Sequence, residues 1–304
     1  MYQVQRHSTS HFNALRGHQY HVREWGNPQS SMPPLVMAHG WMDVAASWQF
    51  MVDAFTPDFF QQRRFLAADW RGYGLTQGPA FDSYWLPDYL GDLDELLNQL
   101  CPGQTIDLVG HSMGGNVVMM YAGARPDRIR KLVNLEGFGM ATTRPSQAPG
   151  RMGQWLDEIQ ALKKGELNLK PYPDAASVAQ RLMKTNKRLS PDKAAWLATQ
   201  WAQPNAQGEW RILGDAAHKV VNPYLFRVDE ILEIYKRITA PTLMVEASDD
   251  SLTLWWKEKF TLEEFHERLK AVPDIKMATL QDAGHMLHHD RAEELATLLE
   301  DFLR

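Results

Sequence analysis

The sequence predicts an α/β protein: a mostly parallel, doubly wound sheet with an inserted all-helical cap. Three observations predict it. Short apolar runs such as Leu35-Val36-Met37-Ala38 and Phe65-Leu66-Ala67-Ala68 alternate with segments whose apolar residues recur at helical spacing. A strand-like run, Thr105 to Val109, turns through Gly110-His111-Ser112-Met113-Gly114 into the helix-like Asn116 to Ala122. From about residue 138 to 237 the alternation stops, and only helical patterns are read until it resumes at Pro241. Alternating β and α segments specify a parallel sheet covered on both faces.

In chain order, Phe12 to Trp25 reads as a β-hairpin turning at Gly17-His18. Leu35 to Ala38 is a buried strand ending in His39-Gly40-Trp41-Met42-Asp43, followed by a helix at Trp48 to Phe55. The next strand, Phe65 to Ala68, runs into Asp69-Trp70-Arg71-Gly72-Tyr73-Gly74. Tyr84 to Leu100 carries leucines at helical spacing, and Arg130 to Leu135 is a strand running into Glu136-Gly137. Helices are expected near 152–164, 175–185, 191–202 and 224–236, then a strand at Thr242 to Ala247, a helix over 255–271, a strand at Ile275 to Leu280 and a last helix from Arg291 to Phe302. Residues 1–137 and 238–304 would thus form the core, and 138–237 a cap over the carboxyl ends of the strands.

Composition narrows the function. A chain of 304 residues, 44% hydrophobic and 23% charged, is ordinary for a globular protein. A net charge of −5 without a basic stripe gives nucleic-acid binding no electrostatic support. The single cysteine, Cys101, permits no intramolecular disulfide and suits a reducing compartment. The polar start, Met1 to His7, lacks a signal-peptide core, and no apolar run approaches the roughly 20 residues of a membrane span. A cytoplasmic location is expected; the oligomeric state is left open.

Serine becomes a nucleophile when a neighbouring base takes its proton. Gly-x-Ser-x-Gly between a strand and a helix places such a serine, Ser112, on a sharp turn, where a Cβ at Gly110 or Gly114 would collide with its surroundings. His285, in Gly284-His285 after the last strand, stands on the same rim and is the candidate base. The orienting acid is sought after the penultimate strand, at Asp249-Asp250, in the chain order Ser, Asp, His.

With these residues in view, the chain resembles the α/β-hydrolase superfamily over essentially its whole length. The resemblance rests on His39-Gly40-Trp41, Asp69-x-Arg71-Gly72-x-Gly74, Gly110-x-Ser112-x-Gly114, Pro241-Thr242-Leu243 and Gly284-His285. Within it, His39 to Ser47 and Arg181-Leu182-Met183-Lys184-Thr185-Asn186 are similar to the serine-hydrolase-like branch. The family pattern Gly-x-x-Asp reads Ala247-Ser248-Asp249-Asp250 here, which implies Asp250 as the acid, with Asp249 as the alternative. Some relatives place the acid after the preceding strand, where Glu136 stands; Glu136 is otherwise read as a hydrogen-bonding residue at the cap hinge. The resemblance also implies an oxyanion hole from the backbone N–H groups of Trp41 and Met113.

The remaining motifs take structural readings. His39 and His111 are expected to be hydrogen-bonded at strand ends, Asp69 and Arg71 to hold a turn, and His288 and His289 to lie on the surface at a helix entry. The spacing of His285, His288, His289 and Asp290 fits no zinc pattern, so no metal and no cofactor are expected. Trp155, Trp196, Trp201, Trp210, Met152 and Met183 are expected mainly to pack the cap. The function expected is a cofactor-independent carboxylic ester hydrolase acting through an acyl-enzyme on a small or medium apolar substrate. Carbon–carbon bond hydrolysis, lactonase and thioesterase chemistry, and a ligand receptor on the same scaffold, are the alternatives. Ser112 argues against epoxide hydrolase and haloalkane dehalogenase chemistry, which use an aspartate nucleophile.

Overall fold

A computed structural model describes residues 2–304; Met1, part of the polar start, lies outside the described residues. The chain opens with a hairpin, β1 (Thr9–Leu15) and β2 (His18–Gly26), antiparallel across Arg16-Gly17. Both turn residues have positive φ, 44° and 80°, as a two-residue turn matched to strand twist requires.

The main sheet continues with β3 (Leu35–Ala38), β4 (Arg64–Ala68), β5 (Ile106–His111), β6 (Ile129–Leu135), β9 (Thr242–Ala247) and β10 (Ile275–Leu280). Between β6 and β9 lie β7 (Ala202–Pro204) and β8 (Trp210–Ile212), which pair only with each other. The eight-stranded order is β1-β2-β4-β3-β5-β6-β9-β10, parallel from β4 onward, with β5 next to the middle.

Every residue of β3, β5 and β9 is buried, because both faces of the sheet are covered. Alternate side chains go to opposite sides. Val36, Ala38 and Leu108 pack with Leu93, Leu97, Val117 and Val118, from α3 (Leu86–Leu100) and α4 (Met113–Ala124). Leu35, Met37, Val109 and Val133 pack with Met51 and Val52 of α1 (Gln49–Ala54) and Leu295 and Leu299 of α12 (Ala292–Leu303). Burial of this extent drives the fold, at about 25 cal/mol per Å² of apolar surface. One short helix, α2 (Pro57–Gln61), precedes β4.

The segment between β6 and β9 contains α5 (Ala148–Lys163), α6 (Ala175–Thr185), α7 (Pro191–Trp201) and α8 (Val228–Tyr235). It carries its own small core of Val178, Leu182, Leu189, Leu197 and Ala198, joined to Phe50 of α1. The expected all-helical pattern is broken by the β7–β8 ribbon. Its turn holds because Asn205 Oδ1 accepts from the Gln207 and Glu209 amides and Gly208 takes φ 81°. Three strand residues on each side were too few to show an alternating pattern.

The helix expected over 255–271 is two helices, α9 (Ser251–Trp256) and α10 (Leu262–Leu269). Lys257 breaks it at φ 51°, and Thr261 starts the second by accepting from the Glu264 amide. After β10 come α11 (Leu287–Asp290) and α12. Among the described residues no helix is long and apolar enough to cross a membrane.

Candidate active site

The turn between β5 and α4 is forced by close approach. An ideal Cβ on Gly110 would sit 2.3 Å from the Gly114 carbonyl oxygen, and one on Gly114 would sit 2.2 Å from the Ala38 carbonyl oxygen. Ser112, between them, adopts φ 53° and ψ −116°, a conformation costing about 1–3 kcal/mol for a residue with a Cβ. Its amide donates to the Leu135 carbonyl at 2.8 Å, and its own carbonyl accepts from Asn116, so both neighbours hold the strained residue in place. Ser112 lines a cavity of about 580 Å³ together with His285, Trp41 and Trp201.

His285 stands on the loop between β10 and α11, held on several sides. Its Nδ1 is 3.2 Å from Glu136 Oε2. Its carbonyl accepts from His111 Nε2 at 2.7 Å, and the Trp255 ring meets its ring edge-on with centroids 4.2 Å apart. The preceding Gly284 amide donates to Asp290 Oδ2 at 2.9 Å, while Asp290 Oδ1 accepts from Asn186 Nδ2 at 2.7 Å. Asn186 lies just past the end of α6, which lines the cavity, so that helix end and the histidine loop share a hydrogen-bond chain.

The structure places a different carboxylate beside His285 from the one expected first. Asp250, the expected acid, is the N-cap of α9: its carboxylate accepts from the Thr253 amide at 2.9 Å and the Thr253 hydroxyl at 2.5 Å. Asp249, the alternative, takes Arg188 Nη1 at 2.7 Å at the exposed rim. Neither carboxylate meets His285. Glu136, the other alternative and otherwise read as a hinge residue, is 1% exposed and hydrogen-bonded to it.

The backbone explains the choice. Glu136 directly follows β6 at φ 57°, its amide tied to the Val245 carbonyl. Its Oε1 accepts from the Ala247 amide at 2.7 Å, which leaves Oε2 for the imidazole. Beyond β9, Ser248 and Asp249 donate to the carbonyls of Leu280 and Ala283, and the chain then enters α9. Asp250 is consumed as a helix start. The pattern Asp250-x-x-Thr253 ahead of Leu252 and Leu254 was the signal that could have shown this.

Burial pushes the Glu136 carboxyl up to about 7, against the pull of the Ala247 amide and the Ser251 hydroxyl. Burial holds His285 down to about 3. We take from the pair that the imidazole is neutral at neutral pH, with an Nδ1–H donated to Glu136 and a lone pair on Nε2. That tautomer is the one a base for a serine hydroxyl must have.

The amides expected at the oxyanion hole flank the serine. Met113 is the first residue of α4, where N–H groups have no partner within the helix. An ideal Cβ on Gly40 would be 3.2 Å from Ser112 Cβ, so the Gly40–Trp41 peptide passes beside the nucleophile position. The Trp41 side chain is 54% exposed and faces the same cavity.

Other expected roles fall into place as structure. Asp69 accepts from the Ala45 and Leu75 amides and pairs with His21, and Arg71 makes two 2.5 Å bonds to Asp92. His39 and His111 are buried and hydrogen-bonded. His288 and His289 are not surface residues: both are buried, with Ser47 Oγ between their Nε2 atoms at 3.3 and 2.6 Å. The short helix that carries them, Leu287–Asp290, is packed into the core, and His289 also lines the cavity. Trp201 and Leu182 line the cavity; Trp196 packs on Phe50. Cys101 is buried away from the site.

The strained serine on a strand-to-helix turn, sharing a cavity with a histidine that follows the last strand, is the arrangement of an α/β protein of the hydrolase type. The alpha/beta hydrolase fold family model matches residues 33–292, and the chain belongs to that family. It is similar to a serine hydrolase-like protein of Danio rerio, 25% identical over 285 residues, covering 92% of this chain and 83% of that one. It is also similar to an sn-1-specific diacylglycerol lipase of Mus musculus, 24% identical over 90% of this chain and 82% of the relative. Among solved structures, a thioesterase domain from the curacin biosynthetic pathway superposes with TM-score 0.82 at 25% identity, covering 97% of this chain and 99% of that one.

Proposed function

We propose that the protein is a cofactor-independent serine hydrolase that cleaves carboxylic esters through Ser112, His285 and Glu136. The observation that carries this reading is the hydrogen bond that His285 Nδ1 donates to the buried Glu136 carboxylate, beside the cavity that holds Ser112. Groups with displaced pKa values cluster at functional sites, which supports the reading.

In the reaction, His285 Nε2 takes the Ser112 proton as Oγ attacks the ester carbonyl. The oxyanion of the tetrahedral intermediate accepts from the Trp41 and Met113 amides. The imidazolium, paired with ionised Glu136, returns its proton to the leaving alcohol. Water, deprotonated by His285, then attacks the acyl-enzyme; the acid departs and Ser112 is restored. The segment 138–237 acts as a cap that encloses the acyl group, and a cavity of about 580 Å³ suits a small or medium substrate.

A thioester is the second reading, favoured by two observations. Arg181, Lys184 and Lys187 line the cavity without an anionic partner among the described residues. They would suit a phosphate-bearing leaving group, and the structural neighbour named above is a thioesterase domain.

The test is a panel of nitrophenyl esters graded in acyl length, with acyl-coenzyme A and the matching uncharged N-acetylcysteamine thioesters, run on wild type and Ser112→Ala. Wild type is expected to exceed the alanine variant by about 10⁴-fold or more on its best substrate. Equal rates on every substrate would leave a ligand receptor as the surviving reading. A preference for the coenzyme A thioester that disappears at high salt would select the thioester.

A further inference from the structure

Behind the Ser112 turn, three buried polar atoms converge without a partner. Asp43, His111 and His288 each bring one ligand atom to within 4.8 Å of the others, and Asp43 Oδ2, His111 Nδ1 and His288 Nδ1 have no hydrogen-bond partner among the described residues. Their residues are 5%, 2% and 0% exposed. Buried polar side-chain atoms are usually satisfied, so three unpartnered atoms on three clustered residues call for an explanation.

Their protonation follows from their other contacts. His111 Nε2 lies 2.7 Å from the His285 carbonyl oxygen, which can only accept, so Nε2 carries the hydrogen. A neutral His111 ring therefore presents a bare lone pair at Nδ1. Metal-binding histidines share this arrangement, the far N–H given to a backbone carbonyl and the near nitrogen free for the ion. His288 Nε2 lies 3.3 Å from Ser47 Oγ, a hydroxyl that both donates and accepts, and its Nδ1 is bare in the tautomer whose Nε2–H is given to that hydroxyl. The Val44 amide, the Ser47 hydroxyl and the Trp201 indole N–H surround the Asp43 carboxylate and leave Oδ2 over.

The space is preserved by Gly40, where a Cβ would stand 3.1 Å from His111 Nδ1. Asp43 and His111 both line the cavity that holds Ser112, which supplies a route in from solvent.

We propose that Asp43, His111 and His288 form a binding site for a borderline-soft divalent cation of the zinc class, one that restrains the hydrolase when filled. Two imidazole nitrogens and one carboxylate oxygen suit zinc, cobalt or nickel, whereas magnesium and calcium prefer all-oxygen sites. Donors at about 2.0–2.1 Å from one zinc ion stand roughly 3.4 Å apart, so side-chain rotation drawing the donors inward by about an ångström completes the site. The cation would sit on the ring next to the base, His111 and His285 having centroids 4.7 Å apart. Its double positive charge opposes the imidazolium that turnover requires. Under the reaction proposed above, kcat falls while KM holds.

The test is titration of chelator-treated, dialysed protein with cobalt(II), read by its visible absorption and by equilibrium dialysis. One cobalt per chain with the intense bands of a low-coordinate site is expected, displaced by zinc. Asp43→Asn and His288→Asn should each weaken binding by at least about tenfold. A His7→Ala/His11→Ala variant, altering exposed histidines at the other edge of the sheet, should leave binding intact. Failure to bind cobalt, or binding that survives both site substitutions, overturns the proposal. Should both site variants misfold by circular dichroism, X-ray absorption of the wild-type complex decides: two imidazoles with oxygen support the site, and fewer than two overturn it. None of these readouts requires the esterase reading to hold. Zinc inhibition of turnover, relieved in Asp43→Asn, tests the restraint separately.

Discussion

Two strand ends compete for the role of acid, and the comparison shows how a carboxylate's use is set by its backbone. Glu136 after β6 and Asp250 after β9 stand on neighbouring parallel strands of one rim. Glu136 is left-handed, buried and tied by one oxygen to the next strand, which leaves the other for His285. Asp250 is exposed, and both its oxygens serve the first turn of α9. The longer side chain and the tighter turn bring glutamate to the imidazole. The shorter aspartate, three residues beyond its strand, is spent locally.

The largest effect that could break this comparison is on turnover. Glu136→Gln should lower kcat/KM by about 10³–10⁴-fold, because the amide no longer fixes the imidazole tautomer or stabilises its charge. Asp250→Asn should change it by less than about threefold. A reversed order, measured on the best substrate of the ester panel, would return the role to Asp250.

A smaller effect concerns pH. Burial depresses His39, His111, His218, His285, His288 and His289 below the ordinary histidine value, three of them to about 3 and His39 to about 4. The unfolded chain binds these protons first, so their contribution is complete above about pH 6.5 and is lost as pH falls below it. Asp43 and Glu136, both raised to about 7 by burial, act oppositely: between about pH 4 and 7 the folded chain holds their protons more tightly. The histidines outnumber them, so Tm should fall by roughly 5–10 °C between pH 7 and 5.5. A Tm that stays level or rises on acidification, in calorimetry, would show the carboxylates to dominate.

The smallest effect sharpens the assignment of Asp250 as a cap. Asp250→Ala should cost about 1 kcal/mol of stability in denaturant unfolding, while Asp250→Asn, which can still cap, costs a few tenths. Equal losses would mean that its charge, not its acceptor geometry, matters.

Much of this was legible beforehand, for reasons that differ by residue. Apolar runs and leucine spacing announced the sheet and its covering helices because burial on two faces leaves no room for polar alternation. Gly110 and Gly114 announced the turn because no other residue fits there. Glu136 was harder to weigh, since its use depends on a contact across 149 residues that local patterns cannot report. His288 and His289 misled for a related reason: two adjacent histidines look solvated until their burial against Ser47, 241 and 242 residues away in sequence, is seen. The β7–β8 ribbon was too short to carry a period.

The chain from Asn186 through Asp290 to the Gly284 amide joins the end of α6 to the loop carrying His285. Under the reaction proposed above, whatever spreads α6 would also pull on the base: a substrate that fits would leave the imidazole where Ser112 can use it, and an oversized one would draw it off line even while bound. Size selection would then act as a penalty on the chemical step, with poor substrates occupying the cavity without turning over.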